Sequence, residues 1–221
     1  MTAIAMKKIP LLLLALAATA ARADLPDRAT ATAAVERYLA AHGDFCLGKT
    51  EWPVDLSALD LRAHGRDTLQ MPVLESLGLV HSAKAIALRV EGPVAEEGGP
   101  PVPIEVLRYT LTPAGEAWFK AHDALVDRTD GERLVRARDL CPATLKLEEV
   151  VGLDEVAAGN GVPQFVARYT YVVADVAPWA TTPEFRRVFP LAARVIDGAH
   201  AMRLEQRFRF VDGQWVATVA N

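Results

Sequence analysis

The chain has 221 residues, of which 51% are hydrophobic and 24% charged, and its formal net charge is −4. These proportions are those of an ordinary globular protein that can bury a core. The acidic balance argues against a protein that binds nucleic acid or an anionic membrane surface.

The first 23 residues have the three features of a cleavable export signal. Lys7 and Lys8 supply the cationic start, residues 9–18 the apolar stretch, and Ala21-Arg22-Ala23 the small residues before the cut. We expect cleavage between Ala23 and Asp24. The apolar stretch is shorter than the roughly 20 residues that cross a bilayer. The sequence therefore predicts a periplasmic or secreted protein with no membrane span after cleavage.

Residues 24–128 predict a helical, winged-helix-like part with one β-hairpin. Thr30 or Thr32 could cap the first helix, and Asp67 or Thr68 the third. Thr112-Pro113 combines a cap with a proline at the first helical position, which indicates a helix that packs through residues 117–121. The expected helices are 30–41, 56–63, 67–77 and one from residue 113, and the expected strands are 85–90 and 104–111.

Residues 129–221 predict a more β-rich part. Alternating residues indicate strands at 132–140, 144–151, 164–176, 202–211 and 214–219. Thr182-Pro183 begins a helix toward residue 195 that Pro190 interrupts, and Asp212-Gly213 is typical of a two-residue hairpin turn. The expected fold class is α+β: a winged-helix-like helical part, then an antiparallel sheet with one packed helix.

Two segments resemble those of a winged-helix domain. Residues 74–80 end a helix with a leucine-glycine-leucine-valine step, and residues 108–115 lead from a hairpin into a tyrosine-x-leucine-threonine helix start. The resemblance covers about residues 55–122 and implies a DNA-reading fold. The export signal and the acidic residues Glu91, Glu96 and Glu97 in the would-be wing argue against DNA, because contact with phosphates dominates DNA affinity.

A second set of segments resembles a family of small exported bacterial proteins of unknown activity, some of them associated with carbapenem gene clusters. The segments are residues 109–115, Leu140-Cys141, 167–171 and 175–180. This resemblance implies an exported domain and carries no catalytic residue. The chain departs from the family pattern at Pro142-Ala143, where the family has a tyrosine and a glycine.

Cys46 and Cys141 are the only cysteines of the chain. Two cysteines in an exported chain most often pair, so we expect a disulfide between them. The alternative is two buried thiols that never meet.

No catalytic or metal-binding pattern is present. The chain has no Gly-x-Ser-x-Gly motif, and no two histidines have the spacing of a helical zinc site. We therefore expect no catalytic residue, no metal ligand and no cofactor. The histidines are His42, His64, His81, His122 and His200.

Two groups of side chains are candidates for contact with a ligand or partner. Tyr169 and Tyr171 share one face of a strand, which is either core or the wall of an amphipathic groove. Trp179 follows a proline at the end of an element. Arg203, Arg207 and Arg209 share the polar face of another strand, which is either a mixed surface or a site for an acidic partner.

These observations predict an exported, non-enzymatic binding or accessory protein that engages a protein partner. Two alternatives stay open: a small-ligand carrier that uses the Tyr169/Tyr171 face, and a hydrolase with an unrecognised site. The sequence makes no prediction of the oligomeric state.

Overall fold

The computed structural model describes residues 25–49, 51–89, 100–128, 131–156 and 161–218. The expected signal, its cut between Ala23 and Asp24, and the acidic residues of the expected wing lie outside this range. Within it, ten strands form three antiparallel sheets, and short helices pack against them. The described chain is therefore mostly sheet.

The largest sheet has five strands, in the order β1-β7-β8-β9-β10. Its last hairpin turns at Asp212 and Gly213, whose φ angles of 50° and 80° are those that the Asp-Gly pair predicts. The strands are β1 (Asp44–Phe45), β7 (Ala143–Val156), β8 (Gln164–Ala174), β9 (Leu204–Val211) and β10 (Gln214–Ala217).

Helix α1 (Arg28–His42) covers one face of this sheet. Its cap is Asp27, whose carboxylate accepts a hydrogen bond from the Thr30 amide, so neither Thr30 nor Thr32 has the predicted capping role. One side of the helix is buried in a hydrophobic core that it shares with the sheet. This core includes Ala31, Ala34 and Val35 of the helix and Phe165 and Phe208 of the sheet. The sheet thus takes its packing helix and its edge strand from the N-terminal end of the chain.

A three-stranded sheet, in the order β2-β4-β3, follows α1 in the chain. Its strands are β2 (Val54–Ser57), β3 (Val80–Arg89) and β4 (Val102–Leu111), and the helices α2 (Ala58–Ala63) and α3 (Arg66–Ser76) connect β2 to β3. The helix predicted over 56–63 starts only at Ala58, because Ser57 and Asp60 form a capping box there. Gly65, not Asp67 or Thr68, precedes α3.

The winged-helix prediction is wrong. Thr112 caps the helix that follows the hairpin, as expected, but this helix, α4 (Pro113–Glu116), has a single turn. The chain then continues as β5 (Phe119–Arg128), which pairs with β6 (Gly131–Leu140). The expected helical packing side at residues 117–121 is therefore mainly strand, because Phe119 pairs with Leu140 and the amide of Cys141 donates to the Trp118 carbonyl.

The expected sheet with one packed helix is also corrected, since the five-stranded sheet includes β1 and carries α1. The predicted break at Pro190 is confirmed: α5 (Pro183–Val188) and α6 (Pro190–Asp197) meet there, after a 3₁₀ turn (Pro178–Thr181). These helices, α3 and the three-stranded sheet enclose a second core that contains Met71, Tyr109 and Phe185. None of the helices in the described ranges has the length and apolar character needed to cross a membrane.

Candidate functional site

Cys46 and Cys141 form a disulfide, as the sequence predicts. The bond joins residues 95 positions apart and fastens the loop after β1 to the end of β6. The amide of Leu47 donates to the Leu140 carbonyl at 3.0 Å, so the loop runs beside the strand.

His122 lies against this disulfide. It is on β5, where it pairs with Ala137. A ring nitrogen of His122 and the two sulfur atoms all lie within 4.8 Å of one another. Cys141 is fully buried, whereas Cys46 and His122 are half-buried. The fold thus joins two cysteines and a histidine that no sequence motif connects.

A buried carboxylate stands two residues before Cys141. Asp139 has no exposed surface, and its two oxygens accept hydrogen bonds from the amides of Lys49, at 2.8 Å, and Leu140, at 2.7 Å. Burial raises the pKa of Asp139 to about 6, although these amides and the charge of Lys49 oppose the rise. Asp139 therefore holds the loop after the disulfide in place at a cost in desolvation.

The side chain of Lys49 connects this hydrogen-bond network to helix α3. Its side chain is only 6% exposed, and its ammonium donates to the carboxylate of Asp67 and, at 2.6 Å, to the amide oxygen of Gln70. The Gln70 amide in turn donates to the Val188 carbonyl at 2.8 Å. Sequence reasoning missed Lys49 and Asp139, because residues 90 positions apart leave no local signal.

A cleft of about 540 Å³ opens beside Lys49. Arg89, in the wall of the cleft, donates a hydrogen bond of 2.8 Å to the carboxylate of Asp60. Arg108 donates two hydrogen bonds of 2.7 Å to the carboxylate of Asp55. These Arg108 hydrogen bonds lower the pKa of Asp55. The cleft is walled by charges of both signs, most of them already paired. Its charged lining residues are Lys49, Glu51, Asp55, Arg66, Asp67 and Arg89.

Tyr169 and Tyr171 are core residues. Their exposures are 3% and 0%, and the Tyr171 hydroxyl donates to the Val195 carbonyl at 2.7 Å. Burial raises the pKa of both phenols. The core interpretation is therefore confirmed, and the two hydroxyls form no rim of an open groove.

Trp179 is likewise part of the core. It is 8% exposed, and its ring makes T-shaped contacts with two other rings. The ring centroids are 6.2 Å apart for Trp118 and 5.1 Å apart for Phe185. These contacts favour a packing role over contact with a ligand.

The arginines of β9 and its approach form an exposed surface, here called the arginine face: Arg203, Arg207 and Arg209. It lies on the side of the five-stranded sheet opposite α1, because Phe208 between Arg207 and Arg209 points into the α1 core. No carboxylate of the described chain lies within salt-bridge distance of these three guanidinium groups. Glu205, on the same side of the strand, is also exposed.

Arg168 on the neighbouring strand β8 is engaged instead. Its guanidinium donates to Asp154 at 3.0 Å and lies across Gly152, where a Cβ would come within 2.9 Å of it. Arg168 is therefore neutralised by its own sheet, and the three arginines of the arginine face are not.

A histidine–carboxylate pair, which sequence reasoning also missed, joins β7 to the turn before β9. His200 Nδ1 is 2.6 Å from a carboxylate oxygen of Glu148, and this hydrogen bond lowers the pKa of Glu148. His200 is well exposed, so the pair is a solvated surface contact.

Comparisons with known proteins return no match: no protein-family model, no curated protein and no solved structure resembles the chain. The geometry above is therefore the basis for any statement about function.

Proposed function

We propose that the chain is an exported, non-enzymatic binding or accessory protein that engages an acidic protein partner through the arginine face. The observation that carries the proposal is the set of three exposed arginines on one side of β9 and its approach, none of which forms a salt bridge with a carboxylate of the described residues. The predicted export signal places the encounter in the periplasm or outside the cell.

The arginine face differs in charge from the chain as a whole. The protein is net acidic, with 28 acidic and 24 basic residues, yet these arginines occupy three of the four alternate positions from 203 to 209, and Glu205 occupies the fourth. Alternate residues of a strand point to the same side, so three cations are gathered on one surface. Guanidinium groups bind carboxylates with two parallel hydrogen bonds, which suits an acidic protein surface.

The neighbouring strand adds an apolar contact. Val216 on β10 pairs with Arg209 and is 44% exposed. Arginine beside exposed aliphatic surface is typical of protein interfaces, in which arginine is enriched and lysine depleted. The surface therefore offers both charge complementarity and apolar area to a partner.

The two alternatives have less support. A small-ligand carrier was inferred from Tyr169 and Tyr171, and these side chains are buried in the core. A hydrolase would need a nucleophile or base in a cleft, and the described residues that line the cleft beside Lys49 include no histidine, serine or cysteine.

The test is affinity capture from a periplasmic extract with the immobilised protein. The bait variant is the triple substitution Arg203→Gln, Arg207→Gln and Arg209→Gln. Its control is Arg37→Gln, Arg62→Gln and Arg187→Gln, which removes the same charge from exposed arginines elsewhere. We expect an acidic protein that the parent and the control variant retain and that the arginine-face variant loses. Its retention should also weaken as salt rises, because exposed charges are screened.

A protein captured equally by all three baits would contradict the role of the arginine face. Failure to capture any specific protein with the parent chain would contradict the binding function itself. Export is tested separately by fractionating cells and measuring the mass of the periplasmic protein, which should begin at Asp24.

A further inference from the structure

The disulfide and His122 place three soft metal-binding atoms together. Cys46 Sγ, Cys141 Sγ and a ring nitrogen of His122 lie within 4.8 Å of one another. They come from the loop after β1, the end of β6 and the middle of β5. Ligand atoms on one tetrahedral zinc ion lie about 3.3–3.8 Å apart, given Zn–S near 2.3 Å and Zn–N near 2.0 Å. Shifts of the order of 1–2 Å would thus bring the three atoms onto one ion.

We propose that these three side chains form a zinc site once the disulfide is reduced. A dithiol donor supplies two electrons and two protons, becomes a disulfide itself and leaves two thiols at Cys46 and Cys141. Zinc then binds both sulfurs as thiolates, and two protons are released to solvent. This inference does not depend on the arginine face.

The surroundings of the three side chains suit a zinc ion with one open position. Cys141 is fully buried, whereas Cys46 and His122 are half-buried, so the site lies near the protein surface. Water can therefore take the fourth position of the tetrahedron. Two thiolates balance the charge of the ion, and imidazole is a common third ligand.

The backbone around the site holds the ligands in place without the sulfur–sulfur bond. The amide of Cys141 donates to the Trp118 carbonyl at 2.9 Å, and β5 and β6 pair along their full length on either side of His122. The amide of Leu47 donates to Leu140, and the amide of Lys49 to Asp139, just beyond Cys46. None of these hydrogen bonds involves a sulfur atom, so they can hold the two thiols close to each other and to His122 after reduction.

The test is titration of the full exported chain with Co²⁺, which absorbs strongly when thiolates bind it, followed by displacement with Zn²⁺. The protein is compared in the disulfide form and after reduction with a phosphine. We expect the reduced form to bind one ion with a thiolate-to-cobalt absorption, and the disulfide form to show none. His122→Gln should weaken binding at least about tenfold, since even loss of a second-shell group costs that much. His81→Gln, an exposed histidine on β3, is the matched control and should bind as the parent does.

Near-ultraviolet circular dichroism shows whether the reduced chain keeps its tertiary structure. A reduced protein that binds no cobalt would overturn the proposal. So would equal affinity in the parent and in His122→Gln, because two thiols of a loosened chain bind metal without the histidine. Protection of both thiols from alkylation by one Zn²⁺, lost in His122→Gln, would support the site even if reduction loosens the fold.

Discussion

The backbone amide of Lys49 donates a hydrogen bond of 2.8 Å to the buried carboxylate of Asp139, across 90 residues of chain. The disulfide lies beside this contact, three residues before Lys49 and two after Asp139. A covalent bond and a charged hydrogen-bond network therefore fasten the same loop to the same strand. The lysine side chain extends the fastening to α3, so one short segment joins β6 to the helical side of the molecule.

The first prediction concerns the pH dependence of stability that Asp139 creates. The folded state raises its pKa from 3.8 to about 6, so the folded protein binds the proton more tightly than the unfolded chain does. Stability from this group is thus present at low pH and is lost as pH rises through 6. Between pH 7 and pH 5 we expect the parent to gain about 1 kcal/mol relative to Asp139→Asn. Urea unfolding of both proteins at the two pH values measures the difference in their free energies of unfolding.

Asparagine has one side-chain oxygen where aspartate has two, so Asp139→Asn leaves either the Lys49 or the Leu140 amide without its acceptor. This loss should lower the free energy of unfolding by about 1–3 kcal/mol at both pH values. A gap between parent and variant that stays constant from pH 5 to pH 7 would show that Asp139 does not titrate in this range.

The second prediction concerns the buried ammonium of Lys49. Lys49→Met keeps an unbranched side chain of similar length and removes the hydrogen bonds to Asp67 and Gln70. The amide oxygen of Gln70 loses its donor, and because Gln70 is buried, water cannot replace that donor. We therefore expect a loss of about 1–3 kcal/mol in unfolding free energy. Lys84→Met, at an exposed position of β3, is the matched control and should change stability by less than about 0.5 kcal/mol. Equal effects of the two substitutions would contradict the network.

The third prediction concerns the close approach of α4 to the chain after α3. A Cβ on Gly115 would lie 2.0 Å from the backbone oxygen of Leu79, and backbone cannot rotate aside as a side chain can. We expect Gly115→Ala to destabilise the fold by about 1–3 kcal/mol or more. Gly65→Ala is the control, because its Cβ would meet no atom within 4 Å. Thermal melts of both variants test this, and a Gly115→Ala variant as stable as Gly65→Ala would refute the contact.

The fourth prediction concerns the disulfide as a constraint. Replacing both Cys46 and Cys141 by alanine should lower the unfolding free energy by about 2–5 kcal/mol, as removal of a native disulfide commonly does. A reducing agent should lower the melting temperature of the parent and leave that of the double variant unchanged. If the reducing agent changes neither protein, the bond makes no contribution to stability.

Local signals predicted those parts of the fold that depend on neighbouring residues. The hairpin turn at Asp212-Gly213, the caps at Thr112 and Thr182 and the break at Pro190 all follow from the chemistry of two or three residues. The disulfide followed from the number of cysteines. These features need no knowledge of distant partners.

Features set by distant pairing could not be predicted in the same way. Thr112 does begin a helix, but Phe119 leaves it after one turn because Leu140 offers a strand to pair with. The apolar residues around Trp118 fit either structure, so the sequence pattern alone favoured the wrong one. The same reason hid Asp139, whose partner Lys49 lies in another part of the chain.

The five-stranded sheet also sets the order in which this protein can be completed as it is made. Helix α1 precedes every strand of the described chain, yet it packs on β7 and β10, and β10 ends at Ala217. Until the last strand has been synthesised, Ala31, Ala34 and Val35 lack part of the surface that buries them. Helix α1 therefore cannot be fully buried before β10 is in place, and a chain truncated after residue 200 should be far more open to proteases than the full chain.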